Sequence, residues 1–92
     1  MLITMVVSSG ARSYSAQHVV ESWQQAPEAL VTSQAFREFA REAMPVTSES
    51  PLRPDEVFLF TPMTGLKNAW VGQGGRNGEY FSVIAVRTVE QE

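Results

Sequence analysis

The sequence predicts an α+β domain in which two helices pack on one face of a mostly antiparallel sheet of about four strands. Three observations predict it: a short apolar run at residues 2–7, two stretches with helical periodicity at 16–23 and 36–44, and β-rich segments after residue 55. The 92 residues are 43% hydrophobic and 18% charged, as in one globular unit. We therefore predict a single domain over residues 1–92 with the order β-α-α-β-β-β.

The N-terminal third predicts a strand followed by a helix. Residues 2–7 are rich in β-branched side chains, and Ser8-Ser9-Gly10 closes them as a turn. Four apolar residues then recur at the i, i+3, i+4 and i+7 spacing of a helical stripe: Ala16, Val19, Val20 and Trp23. Ser13 or Ser15 would cap this helix, and Pro27 would end it.

The middle of the chain predicts a second helix and then a connector. The helical spacing is repeated by five residues: Phe36, Phe39, Ala40, Ala43 and Met44. Thr32 or Ser33 would supply the N-cap, and Pro45 would stop the helix. Residues 45–54 contain three prolines among serines and threonines, which indicates a loop.

The C-terminal half has the pattern of strands. We predict strands at Glu56–Thr61, Lys67–Gly72 and Tyr80–Val89, with a solvated tail at Glu90–Glu92. Between the last two strands, residues 72–78 form a glycine-rich connection that contains Asn-Gly, the strongest short hairpin signal. We interpret this connection as a flexible hairpin tip.

Chemistry-bearing residues are few in this composition. The chain has no cysteine, His18 is its only histidine and Asp55 its only aspartate. Such a set disfavours a zinc site, an all-oxygen cation site and a catalytic triad. We therefore predict no enzyme activity, no metal and no cofactor. No leader pattern or apolar run of membrane-spanning length is visible, so the expected location is cytoplasmic, without a membrane partner.

Nucleic-acid binding is disfavoured by the charge. Seven basic and ten acidic residues leave a net charge of −3, and the basic residues are dispersed along the chain. The predicted order, with two helices after the first strand of an antiparallel sheet, is similar to that of bacterial ribosome-dependent mRNA-cleaving toxins. This resemblance implies a surface of clustered basic or histidine side chains that cleaves RNA. The second alternative function is therefore a nucleic-acid-binding or RNA-cleaving, toxin-like domain.

A binding surface is predicted from how the sheet must be covered. The strands at 57–60 and 80–89 are apolar on both faces, whereas a strand with one face in water should alternate. Two short helices cover only one face of a four-stranded sheet. An exposed apolar patch usually marks an interface, unless the 45–54 loop, the first strand or a strongly coiled sheet hides the second face.

The function predicted from these observations is non-catalytic protein binding through an apolar sheet face or edge. An inhibitor, an immunity protein or antitoxin, or a bacterial or phage-type accessory protein fits this description. The partner would be another protein or a second copy in a homodimer. The predicted anchors are Phe58, Phe60, Tyr80 and Ile84, and Arg76 on the hairpin tip is the predicted rim contact.

A homodimeric small-molecule-binding protein or enzyme is the first alternative. Its apolar pocket would be lined by Trp23, Trp70, Tyr80 and His18. A cavity of several hundred cubic ångströms with convergent polar groups would favour this alternative over a flat interface.

Overall fold

A computed structural model describes residues 1–88, which form an antiparallel sheet with two helices on one face. The strands are β1 (Leu2–Ser9), β2 (Arg12–Val19), β3 (Val57–Pro62), β4 (Ala69–Arg76) and β5 (Glu79–Arg87), and the helices are α1 (Ala26–Thr32) and α2 (Gln34–Ala43). The five strands lie in the order β2-β1-β5-β4-β3, so β5 is central. The predicted α+β class is confirmed, but the sheet is wider than predicted.

The predicted helix around Ala16 is wrong, because residues 12–19 form the edge strand β2. The segment also has the alternation of a strand, in which Tyr14, Ala16 and His18 are partly buried and the residues between them are exposed. Val19, which the helical spacing placed on the apolar stripe, is 80% exposed. Gly10 has φ +60° and joins β1 to β2 in a tight hairpin in which Ser9 pairs with Arg12. A glycine at the first central position is the signal of a type II′ turn.

The observed order is therefore β-β-α-α-β-β-β, and two strands precede the helices. The topological resemblance to mRNA-cleaving toxins depended on helices inserted directly after the first strand. It loses its basis in this fold.

Helix α1 begins at Ala26, next to Pro27, where the sequence predicts the end of a helix. Pro27 lies in the first turn of α1, where its missing N–H needs no partner. Ser33 separates the two helices and serves both: its hydroxyl donates to the carbonyl of Leu30 and accepts from the N–H of Phe36. The predicted Ser33 cap and the helix that ends before Pro45 are confirmed.

The glycine-rich segment is mostly strand. Asn77 and Gly78, both with positive φ, form the predicted Asn-Gly turn between Arg76 and Glu79. Gly72 and Gly74 lie within β4 on the side of the helices, where a Cβ would come within 2.8 Å of the Phe60 ring and 2.5 Å of the Phe81 ring, respectively. The interpretation of this segment as a flexible tip is wrong, because these glycines make room for aromatic rings.

The core lies between one face of the sheet and the helices. Buried side chains from the strands include Ile3, Met5, Val7, Phe81, Val83 and Ala85, and those from the helices include Leu30, Val31, Phe36, Phe39 and Ala40. Phe36 of α2 meets Phe81 of β5 edge-on at 5.1 Å between ring centroids. We call this side of the sheet the covered face.

The two edge strands differ in how they end the sheet. β3 is irregular, since its register with β4 shifts between Phe58 and Thr61, and it ends at Pro62, which has no N–H to donate. β2 is regular over its whole length. Met1 and Val20 exchange backbone hydrogen bonds, so the alternation of the ladder points the N–H and C=O groups of residues 13, 15, 17 and 19 away from the sheet.

Part of the predicted last strand and the whole predicted tail, Val89 and Glu90–Glu92, lie outside the described residues. Within residues 1–88, neither helix has the length and apolarity needed to cross a membrane.

Candidate interaction surface

Within the part of the chain that the structure describes, neither helix packs on the second face of the sheet, and the large side chains at its centre are exposed. We call this second face the open face. The strand register assigns to it Leu2, Thr4, Val6 and Ser8 of β1, Ser13, Ser15, Gln17 and Val19 of β2, Phe58 and Thr61 of β3, Ala69, Val71, Gln73 and Gly75 of β4, and Tyr80, Ser82, Ile84 and Val86 of β5. Most of its large apolar side chains are exposed, whereas the inward apolar residues of β1 and β5 are buried. Ala69, at the end of β4, is buried.

An apolar row crosses the centre of the open face. Val6 pairs with Ile84, and Ile84 pairs with Val71, so three neighbouring strands place aliphatic side chains side by side. Their exposed fractions are 45%, 43% and 36%. Val86 extends the row along β5, and Phe58 lies edge-on to Tyr80 on the other side. A contiguous apolar patch with aromatic side chains is typical of a protein interface.

Among residues 1–88, the strands place no charged side chain on the open face. The exposed side of a sheet that remains in water is normally polar, and lysine and glutamate are the usual surface residues. Here the charged side chains near the sheet lie on its other side: Arg12 contacts Glu42 of α2, and Arg76 contacts Glu56. Depletion of charge distinguishes the centre of an interface from the rest of a protein surface.

The polar side chains of the open face bond to one another. Ser8 and Ser82, which are cross-strand partners, lie 3.1 Å apart, and the Thr4 hydroxyl lies 3.2 Å from that of Thr88. Gln17 donates to Thr4 at 3.2 Å. A hydroxyl that already has a protein partner loses less when water is removed from it. Covering this face therefore costs less than its serine and threonine content suggests.

Three of the predicted anchors meet on the open face: Phe58, Tyr80 and Ile84. The fourth, Phe60, does not, because the irregularity in β3 inserts a residue and turns Phe60 to the covered face. There its ring stacks on Trp70 at 5.4 Å. The side chain of Leu59, beside it, lies outside the described residues.

Sequence reasoning missed Val6 and Val71 as members of the surface, whereas the alternation of the last strand places Val86 on the side of Tyr80 and Ile84. The alternation Leu2-Thr4-Val6-Ser8 against Ile3-Met5-Val7 shows that one side of β1 is more polar, but both sides contain valine. Only the register between strands identifies which valines share a face.

Arg76 is not on a mobile tip but at the end of β4, on the side of the covered face. Its Nη2 donates to the Pro51 carbonyl at 2.7 Å and to Glu56 Oε1 at 2.9 Å, and its Nη1 donates to the Ser50 hydroxyl. Thr47, fully buried, donates through Oγ1 to the Arg76 carbonyl at 2.8 Å. The guanidinium therefore holds the 45–54 segment against the hairpin. These contacts within the chain account for Arg76 without the rim contact to another protein that was predicted for it.

Acid should weaken this attachment through Glu56. Hydrogen bonding from the Arg53 N–H, with the Arg76 guanidinium, holds the pKa of Glu56 below its ordinary value of 4.5. Below that value the unfolded chain binds more protons than the folded one, so the free energy of unfolding falls as pH drops. We expect Glu56→Gln to lower stability by about 1–2 kcal/mol at neutral pH and to flatten its loss in acid.

Urea unfolding at a series of pH values measures this effect. Glu42→Gln is the matched control, because both side chains of the Arg12–Glu42 ion pair are exposed and such a pair contributes little to stability. Equal pH dependence in Glu56→Gln and in the wild type would contradict the role assigned to Glu56.

The residues predicted to line a small-molecule pocket do not converge. Tyr80 lies on the open face, Trp23 and Trp70 stack on the covered side at 5.2 Å, and His18 lies on β2 beyond two intervening strands. A cavity of about 190 Å³ lies between α2 and residues 47–52. Three wider depressions of about 480, 380 and 330 Å³ lie elsewhere on the surface and are of the size of ordinary ligand pockets. None of the four residues predicted to line a pocket borders any of these cavities.

Four arginines surround the 47–53 segment, but two of them are neutralised. Arg37 and Arg41 line the cavity next to α2, and among residues 1–88 neither has an ion-pair partner. Arg53 and Arg76 pair with Asp55 and Glu56. The four arginines therefore do converge around one segment, as a nucleic-acid-binding surface would require. Pairing with Asp55 and Glu56 reduces what this cluster can contribute to phosphate binding.

The described residues contain no group of three or more potential metal ligands. His18 is half-buried, burial lowers its pKa, and its Nε2 has no hydrogen-bond partner within residues 1–88. Comparisons with protein families, curated proteins and solved structures found no match to this chain.

Proposed function

We propose that this protein is a non-catalytic protein-binding domain that uses the open face of its sheet. The observation that carries the proposal is the uncharged surface with the Val6–Ile84–Val71 row at its centre. The outward residues of a sheet with one face in water are normally polar, whereas the centre of this face is aliphatic. In an inhibitor or accessory role, the open face would dock on a partner protein and be buried in the complex.

The anatomy of the open face supports this role. An aliphatic centre is flanked by the aromatic pair Phe58–Tyr80 and surrounded by serine, threonine and glutamine. Protein interfaces have the same arrangement, with an apolar centre, enriched aromatic residues and a polar rim.

Site-specific photocrosslinking tests the proposal. A photoreactive phenylalanine analogue would replace Tyr80, which is 56% exposed on the open face, or Val46, which is 51% exposed beyond the end of α2. We expect adducts with protein at position 80 at least about tenfold more abundant than at position 46, since a docking surface excludes water around its anchors.

A charge placed in the apolar row is the internal control for this experiment. Val6→Lys should abolish the adduct at position 80 because it would bury an unpaired ammonium group in the interface. Adducts of equal yield at both positions, or adducts insensitive to Val6→Lys, would refute the open face as the binding surface.

A further inference from the structure

We infer that the occupant of the open face is a second copy of this chain, stacked face to face. This inference rests on the proposed function and identifies its partner. Two sheets of this kind pack about 10 Å apart through interdigitating side chains. The product is a four-layer assembly with helices outside and two sheets inside.

The position of the apolar row suits a twofold interface. β5 is the central strand of the sheet, and Ile84 lies near its middle, between Val6 and Val71. A symmetric interface places each surface patch against its own copy, so a patch at the centre of the face meets itself. The row therefore contacts the same row of the partner without any shift of one protomer.

The charge distribution favours a copy over a foreign protein. A specific foreign partner is usually selected through complementary charges, and the open face offers none. Each chain carries a net charge of −3, which would oppose self-association if acidic groups met in the interface. Because the described strands place no charge on the open face, stacking leaves the charged side chains of residues 1–88 at the rim or on the outer layers.

The available area is sufficient for a stable dimer. Five strands at ~4.8 Å spacing and eight residues at ~3.3 Å give a footprint of roughly 600 Å², close to the ~800 Å² per partner of standard interfaces. The hydroxyl pairs Ser8–Ser82 and Thr4–Thr88 enter this area with hydrogen bonds already made. Their burial leaves few polar groups without a partner.

Sedimentation velocity of the purified chain over a wide concentration range tests the inference. We expect a wild-type dimer, and a dissociation constant at least about 100-fold weaker in Val6→Lys, because each interface would bury two lysines. Val46→Lys is the matched control: it makes the same change at a valine of similar exposure, 51% against 45%, away from the open face. Its dimer should match the wild type.

Gln73→Lys guards against a folding defect in Val6→Lys. Gln73 is an exposed polar residue of the open face, so its replacement removes no core contact. The Gln73→Lys variant should be folded by circular dichroism and monomeric by sedimentation velocity. A wild-type monomer at every concentration would overturn the second-copy inference, and so would a dimer that both open-face lysines leave intact. If the chain is monomeric while position 80 still crosslinks to a different protein, the inference fails and the proposed function stands.

Discussion

Gly75→Ala is expected to destabilise the fold by about 3 kcal/mol or more, a large part of the stability of a small domain. Gly75 has φ +136°, a conformation that alanine rarely adopts, and an added Cβ would lie 2.1 Å from the Glu79 carbonyl oxygen. Neither backbone can move freely, because the residues pair across the β4–β5 hairpin.

Gly10→Ala separates the two causes. Gly10 also has positive φ, but a Cβ there meets nothing within 4 Å. Only the conformational cost of about 1–2 kcal/mol should appear. Urea unfolding of both variants measures the difference, and equal losses of stability would show that the close approach of the β5 backbone at Gly75 has no energetic effect.

Phe81→Ala is expected to cost about 3–5 kcal/mol. Phe81 is 3% exposed, meets Phe36 edge-on and occupies the space that Gly74 leaves over β4. Removing the ring leaves a cavity between the sheet and α2 that the glycine cannot fill.

Tyr80→Ala is the control for Phe81, since the two residues are neighbours on β5 that point to opposite faces. Tyr80 is mostly exposed in one protomer, so its loss should cost less than about 1 kcal/mol. Both variants should be measured by urea unfolding in the Val6→Lys background, where dimerisation makes no contribution. A larger loss in Tyr80→Ala than in Phe81→Ala would reverse the assignment of the two faces.

The parts of the fold that local signals specify were predictable from the sequence. Ser33 before the Phe36 stripe identified the start of α2, and Asn77-Gly78 identified the hairpin between β4 and β5. Each depends on contacts within a few residues, so neither required knowledge of the tertiary structure. The expectation that two helices cover only one face of the sheet also holds in the structure.

The parts that depend on distant pairing were not predictable in the same way. The segment around Ala16 carries two patterns, a helical spacing of apolar residues and a two-residue alternation, and pairing with β1 favours the second. Gly10 before β2 was an available turn signal that would have favoured this outcome. No local pattern reveals the irregularity in β3 that turns Phe60 to the opposite face from Phe58. No local pattern reveals either that Arg76 pairs with Glu56, which lies twenty positions earlier in the chain.

The unequal edges of the sheet limit how far copies of this protein can polymerise. The outward backbone groups of β2 can accept one additional strand, whereas the irregular β3 with its terminal proline cannot accept another at the opposite side. Strand pairing through β2 therefore joins two copies, and the resulting pair has no second regular edge for the same contact. A continuous sheet built by edge pairing alone needs two regular edges on every subunit, and the folded protein offers one.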